Sequence, residues 1–440
     1  MPSSTLPDAV DVDTDTQDES DTLISKLREC PDCGLFQRLP ALRPGSVAQC
    51  VRCDKVLRAR RRNSFATTSA LMLAGLALFS IVAYAPLLGI RLLGRQVDTT
   101  LPVLPFAFEE FGMGELAIVV LAFTFIAPLL KLATTAAVLI GLRLPNVRPT
   151  WLAALARVRE WLSPWAMVEV FLLGLFVAYT RLISYATVQI GPGLYAMAGL
   201  MLIMVAADAW LDEHALWDAI GRRQPSAPDR PGEPIGCDTC GHVSIGRPGD
   251  DCPTCESRLR IRKTEPIART WALVAAAAAL YVPANILPVM TIIRLHRETT
   301  TTILGGVEEL IAYKMWPLAA IVFIASVAVP VVKLLLLVYM LIATQRRSNI
   351  GLKRRAAMYR VVDAIGRWSM IDVFMIAILT ALVRMGAVAS VIPGTGAICF
   401  CGVVILTMLA AATFDPRLMW DVAGEAESDR AETALTGVAA

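Results

Sequence analysis

The chain alternates long apolar runs with short polar segments, and the lengths of those runs dictate most of its architecture. Ser64 to Ile90 and Thr270 to Ile293 contain no charged residue and exceed the ~20 residues needed to cross a bilayer as helix. Extending this reading predicts eight spans, at about 65 to 90, 114 to 142, 164 to 189, 193 to 213, 269 to 293, 313 to 344, 367 to 390 and 394 to 416. Gly191-Pro-Gly193 and Pro393-Gly394 are tight turns that cut the longest runs into hairpins. Between the second and third spans, Trp151 to Leu162 places its apolar residues at helical spacing opposite Arg157 and Glu160. It is expected to lie in the membrane interface, with a more basic counterpart around Leu352 to Ile365.

The pattern occurs twice. Pro128-Leu-Leu-Lys131-Leu matches Pro330-Val-Val-Lys333-Leu, and Trp165-Ala-Met-Val-Glu169-Val-Phe171 matches Trp368-Ser-Met-Ile-Asp372-Val-Phe374. Arg181 matches Arg384, Trp217-Asp218 matches Trp420-Asp421, and Cys30-Pro-Asp-Cys33 matches Cys237-Asp-Thr-Cys240. The expected organisation is a tail (1–27), a first ribbon (28–62), a membrane repeat (63–220) and a linker (221–234), then a second ribbon (235–262), a second repeat (263–420) and a tail (421–440). Four spans per half give both halves one orientation, as parallel repeats.

Composition agrees: 56% hydrophobic residues, 18% charged residues and a mean hydropathy of +0.58 are too apolar for a soluble chain of 440 residues. A net charge of +3 argues against nucleic-acid binding, and the basic residues instead flank the spans on one side, as at Arg58, Arg60, Arg61, Arg62, Arg143, Arg157, Arg159, Arg346, Arg347, Lys353, Arg354 and Arg355. That side is expected to be cytoplasmic, with both termini. The acidic, Ser/Thr-rich residues 1 to 25 do not read as an export signal.

Eight of the ten cysteines fall in C-x-x-C pairs: Cys30, Cys33, Cys50 and Cys53, then Cys237, Cys240, Cys252 and Cys255. Two such knuckles bring four thiolates into a tetrahedron, which suits a closed structural zinc and also accepts iron. Two zinc ions per chain are therefore expected. Cys399 and Cys401 read as small packing residues in the last span.

Ionisable residues inside the spans form the second chemical signal: Lys131, Glu169, Arg181, Lys333, Asp372 and Arg384. Such groups face a bundle interior or a wet cavity. Counting residues along the helices puts Lys131 level with Glu169, and Lys333 level with Asp372, so each can form a pair; helix glue and a polar lipid path are both open readings. Arg181 and Arg384 fall toward the opposite leaflet. Pro283-Ala-Asn285-Ile-Leu-Pro288 removes backbone donors from the fifth span, and a break that lines a cavity, with Asn285 in it, and a kink that serves only packing are both open readings. No Walker, G-x-S-x-G or HExxH motif occurs, and the three histidines do not cluster, so neither an ATPase nor a hydrolase is expected.

The doubled four-cysteine ribbon, the Pro-Ala-Asn-x-Leu-Pro element, and the repeated Pro-x-x-Lys-Leu and Trp-x-Met-x-acid-Val-Phe motifs together resemble the paraquat-inducible protein A family over residues 28 to 422. The resemblance implies an all-α polytopic protein of the Gram-negative inner membrane. It also implies a separate periplasmic MCE-domain partner and a role in phospholipid traffic between the two membranes. The first half lacks the Pro-Ala-Asn element, so the halves are not expected to be equivalent. A non-transporting anchor for the partner and a metal- or redox-responsive sensor are the alternatives.

Overall fold

The computed structural model describes residues 27–40, 42–92, 95–144, 149–183, 187–221, 232–294, 297–383 and 389–424. The expected acidic tail up to residue 26, most of the expected linker, the expected C-terminal tail beyond residue 424 and Arg384 lie outside the described residues.

The first half opens with two antiparallel ribbons, β1 (Leu27–Glu29) with β2 (Phe36–Arg38) and β3 (Val47–Gln49) with β4 (Val56–Ala59). Then follow α1 (Ser64–Tyr84), β5 (Leu88–Leu92), β6 (Arg95–Thr99), α2 (Val103–Glu109), α3 (Gly114–Leu121), α4 (Ala127–Gly141), α5 (Pro149–Leu162), α6 (Val168–Leu182), β7 (Thr187–Ile190), α7 (Pro192–Trp210) and α8 (Glu213–Gly221). The second half repeats this order as β8 (Glu233–Gly236), β9 (Val243–Gly246), α9 (Pro266–Ile286), β10 (Met290–Arg294), β11 (Arg297–Thr301), α10 (Ile303–Ala312), α11 (Trp316–Phe323), α12 (Val329–Gln345), α13 (Leu352–Ile365), α14 (Ile371–Leu382), β12 (Ala389–Pro393) and α15 (Thr395–Thr413). Among the described residues, eight helical stretches are long and apolar enough to cross a membrane, one for each expected span.

Four expected spans are shortened at the ends remote from the cysteine modules. There the chain forms three-stranded antiparallel sheets, ordered β6-β5-β7 and β11-β10-β12. Pro86 and Pro288 follow the C-caps of α1 and α9, where a proline stops the helix. The β-branched segments Thr187–Ile190 and Met290–Arg294 then satisfy their backbone groups in a ladder. The hydropathy pattern had merged strand and helix into one run.

A break at Pro283 is not formed: α9 runs through it to Ile286, and Asn285 Nδ2 donates to the carbonyl of Tyr281 at 2.9 Å. Prolines act instead in the second span of each half. One π-turn, Ala122–Ile126 or Ile324–Ala328, precedes Pro128 or Pro330. The proline ring clashes with the carbonyl four residues back, and the wider turn relieves the clash. Thr124 and Ser326 donate to the carbonyls of Val120 and Val322 at 2.7 and 2.6 Å.

The halves meet through α6 and α14. Phe171 and Phe374 pack edge-on with centroids 5.6 Å apart, and a Cβ on Gly174 would stand 3.2 Å from the Ile371 carbonyl oxygen. Every residue of α14 is buried, making it the central pillar of the membrane core. The cysteine modules cross over. The first packs with Val274, Leu337, Leu341, Phe414 and Trp420 of the second half, and the second packs with Val138, Leu139, Leu152, Ala153 and Trp217 of the first.

Candidate metal centres and membrane-embedded charges

Each C-x-x-C pair is built as the same knuckle. The first cysteine's amide donates to a carbonyl five residues on, as Cys30 to Leu35 and Cys252 to Ser257, and its carbonyl accepts from the residue after the second cysteine. That residue has positive φ in all four: Gly34 (+70°), Asp54 (+61°), Gly241 (+68°) and Glu256 (+58°). The left-handed turn folds both sulfurs to one side. The four Sγ atoms of each module lie within 4.8 Å of one another, with contacts of 3.5 Å for Cys30 to Cys53 and Cys33 to Cys50. The second module has 3.4 Å for Cys237 to Cys255 and 3.6 Å for Cys240 to Cys252.

All eight sulfurs are free of disulfides and buried. Hydrogen bonding to Cys30 and burial push the Cys33 thiol up, and burial pushes Cys53 up to about 12. Four thiols this close do not all ionise without a cation among them. A tetrahedral metal with M–S near ~2.3 Å needs sulfurs ~3.8 Å apart, so both clusters fit one after a small expansion. The donor set, all thiolate and closed, suits a structural ion and leaves no open position for substrate.

The surroundings explain the crossing. Asp32 of the first module accepts from Arg360 of α13 at 2.9 Å, and Arg52 lies 4.4 Å over the Trp420 ring. Half-buried Glu29 takes Arg417 and Arg262, each at 3.2 Å, and accepts the Gly236 amide of the second module at 3.1 Å. Arg417 also holds Asp415 at 3.0 Å and Asp238 at 2.9 Å. In the first half, Asp218 meets His242 at 2.9 Å and Arg28 at 3.4 Å. Burial opposes ionisation of Asp218, but the hydrogen bond from His242 and the charges of Arg28 and Arg58 outweigh it and hold the carboxyl below its usual range.

Of the charges predicted at membrane depth, Lys131, Lys333 and Asp372 are buried, and Glu169 is half-buried in the first turn of α6. The pairings expected from residue counting are not formed. Lys131 Nζ instead donates to Asp208 Oδ2 of α7 at 2.6 Å, and no ion pair joins Lys333 to Asp372 among the described residues. Lys333 is 3% exposed, and its Nζ sits against Gly366 without a hydrogen-bond acceptor among the described residues. Arg181 lies on α6, but its side chain is outside what the structure describes.

Residue counting missed Asp208 because it lies near the end of α7, where acids are unremarkable; as the sole carboxylate of Pro192–Trp210 it was nonetheless readable. Arg159, read from the sequence only as a basic residue flanking the spans, is 2% exposed and bound to Glu213 at 3.1 Å.

Protein-family comparison matches the description "Paraquat-inducible protein A" twice, over residues 65–221 and 267–423. The chain belongs to this family. Family membership thus covers both membrane repeats, in the same order and sense. Among curated relatives, "Intermembrane transport protein PqiA" of Escherichia coli (strain K12) is 33% identical over 406 residues, covering 91% of this chain and 97% of the relative. "Lipophilic envelope-spanning tunnel protein A" of the same strain is 31% identical over 398 residues, covering 90% and 91%. A "Probable intermembrane transport protein" of Haemophilus influenzae is 26% identical, covering 90% and 96%. No solved structure matches the chain. The names of these relatives describe intermembrane transport and an envelope-spanning tunnel.

Proposed function

We propose that this protein passes phospholipid between the bilayer and the channel of a separate periplasmic MCE-domain protein, supporting lipid traffic between the inner and outer membranes of a Gram-negative cell. In this reading both termini and both cysteine modules are cytoplasmic, and the two sheets face the partner. Each module holds one zinc ion through Cys30, Cys33, Cys50 and Cys53, or through Cys237, Cys240, Cys252 and Cys255. The ion ties two hairpins of a module too small to be stable alone. The names of the relatives support transport across the envelope.

The observation that carries the transport role over a pure anchor is Lys333, an ammonium 3% exposed with no acceptor among the described residues. A charge held this way costs several kcal/mol. An anchor has no use for that cost, whereas a polar path does. Asp372, one helix away in the same bundle, is the second member of that path. The test compares Lys333→Met, Asp372→Leu and the double variant for abundance, partner binding and rescue of an envelope-permeability defect. Variants that are abundant and bind the partner yet fail to rescue are expected; full rescue by the double variant refutes the path.

A further inference from the structure

A cavity of about 480 Å³ opens where the first cysteine module meets the start of α1. It is lined by Arg58, Arg60, Arg61, Phe65, Asp212 and Asp218, among others. The acidic groups are already occupied: Asp212 and Asp218 take Arg58 at 3.7 and 3.5 Å, and Asp218 also takes Arg28 and His242. Among the described residues, the Arg60 and Arg61 side chains donate to carbonyls, Leu42 at 2.6 Å and Ala209 at 3.2 Å. Neither reaches a carboxylate among the described residues, and both are exposed beside exposed Arg62. The site therefore carries an excess of guanidinium groups. It lies at a bilayer surface, because α1 starts at Ser64 and α7 ends at Trp210, and Ser64 Oγ donates to the Trp210 carbonyl at 2.9 Å.

The second half supplies an internal control. At the positions equivalent to Arg60 and Arg61 stand Arg262 and Lys263. Arg262 is consumed by Asp421 at 2.6 Å and Glu29 at 3.2 Å. Lys263 Nζ turns inward to the carbonyls of Ala412 and Phe414 at 2.7 and 3.0 Å, and its amide donates to Asp415. The basic pair that is sealed in one half is open in the other.

We propose that this cavity is a binding site for the headgroup of an anionic phospholipid, drawn from the leaflet on the cysteine-module side. Arg60 and Arg61 pair with the lipid phosphate, for which the guanidinium fork is suited, and Phe65 borders the path of the glycerol and acyl chains. The site requires only that the chain span a bilayer, so it stands whether or not the protein moves lipid.

The test uses the purified full-length protein in nanodiscs of phosphatidylcholine containing a minor fraction of phosphatidylglycerol, with retained lipid counted by native mass spectrometry. Arg60→Gln/Arg61→Gln should weaken phosphatidylglycerol retention by about fivefold for each arginine removed. Ala215→Glu, which adds a carboxylate to the lining and leaves every arginine in place, should do the same. Arg346→Gln/Arg354→Gln removes equal charge from exposed positions on the same side of the second half and should behave as wild type. Unchanged retention in both cavity variants overturns the proposal. So does an equal loss in the Arg346/Arg354 variant, which would mean attraction by net charge without a site. Inorganic phosphate binding that is lost in Arg60→Gln/Arg61→Gln, with phosphatidylglycerol retention unchanged in the same variant, would assign the cavity to the free anion and refute the lipid.

Discussion

A lysine taken to membrane depth must be matched by a counter-charge or kept for use, and the two repeated lysines divide along that line. Lys131 is buried against Asp208, whereas the position equivalent to Asp208 in the second half is Ala411, leaving Lys333 without that partner. Removing one member of a buried pair strands the other. Asp208→Leu is therefore expected to lower the melting temperature of the detergent-solubilised protein, with a loss of ~2 kcal/mol or more reduced by the partial exposure of Asp208. Lys131→Met/Asp208→Leu should recover most of that loss. Lys333→Met should cost nothing or stabilise, because it removes a charge that no acceptor compensates. A melting series in which Lys333→Met is the most damaging change would contradict this division. The sequence made both lysines visible because a charge in an apolar run stands out. It could not name the partner, since residue counting fixes depth along an axis and not the direction in which a side chain leaves the helix.

Elements were legible to the extent that a single period governs them. Eight apolar runs became eight helices, and the expected interfacial segment Trp151 to Leu162 became α5. The strands were not legible, because β5, β7, β10 and β12 continue the apolar runs of neighbouring helices, and only register distinguishes them from another turn. The turns at Gly191-Pro-Gly193 and Pro393-Gly394 do end the apolar runs, but each joins a strand to a helix, β7 to α7 and β12 to α15, instead of two spans, and the structure adds the reason for the glycines. A Cβ on Gly193 would stand 2.7 Å from the Ala85 carbonyl oxygen, and one on Gly396 would stand 2.6 Å from that of Leu287. Backbone cannot yield as a flexible side chain would. Gly193→Ala and Gly396→Ala are expected to splay α7 from α1 and α15 from α9, costing ~1–3 kcal/mol each and lowering the yield of monodisperse protein in size-exclusion chromatography. Gly114→Ala, whose Cβ would meet nothing within 4 Å, is the matched control and should be neutral. Equal behaviour of all three would remove close approach as the reason for the turn glycines.

At the scale of the whole molecule, each cysteine module sets its apolar face on the other half while ion pairs such as Arg58–Asp218 and Arg417–Asp238 tie it to its own, and no reading of composition or periodicity anticipates that exchange. Repeats are recognised by likeness, and likeness says which segments correspond, not which copy a segment touches. The crossing follows from contacts the sequence scatters widely: Asp32 with Arg360, Arg52 with Trp420, and Glu29 with Arg417 and Gly236. Its consequence is that metal bound in one half stabilises the other. In Cys30→Ser the first module loses a ligand, and faster amide hydrogen exchange is expected in α13, which it touches through Arg360 and Lys353, with α5 little changed. In Cys237→Ser the pattern should reverse, because the second module rests on Leu152, Ala153 and Trp217. Elemental analysis should fall from about two metal ions per chain to about one in each variant, since the four ligands of a cluster act together. Exchange that rises in the half preceding or following the altered module in sequence, rather than in the half it touches, would refute crossed support. Uniform loosening of both halves would show that the Glu29–Arg417–Arg262 network, and not either metal, binds the two repeats into one unit.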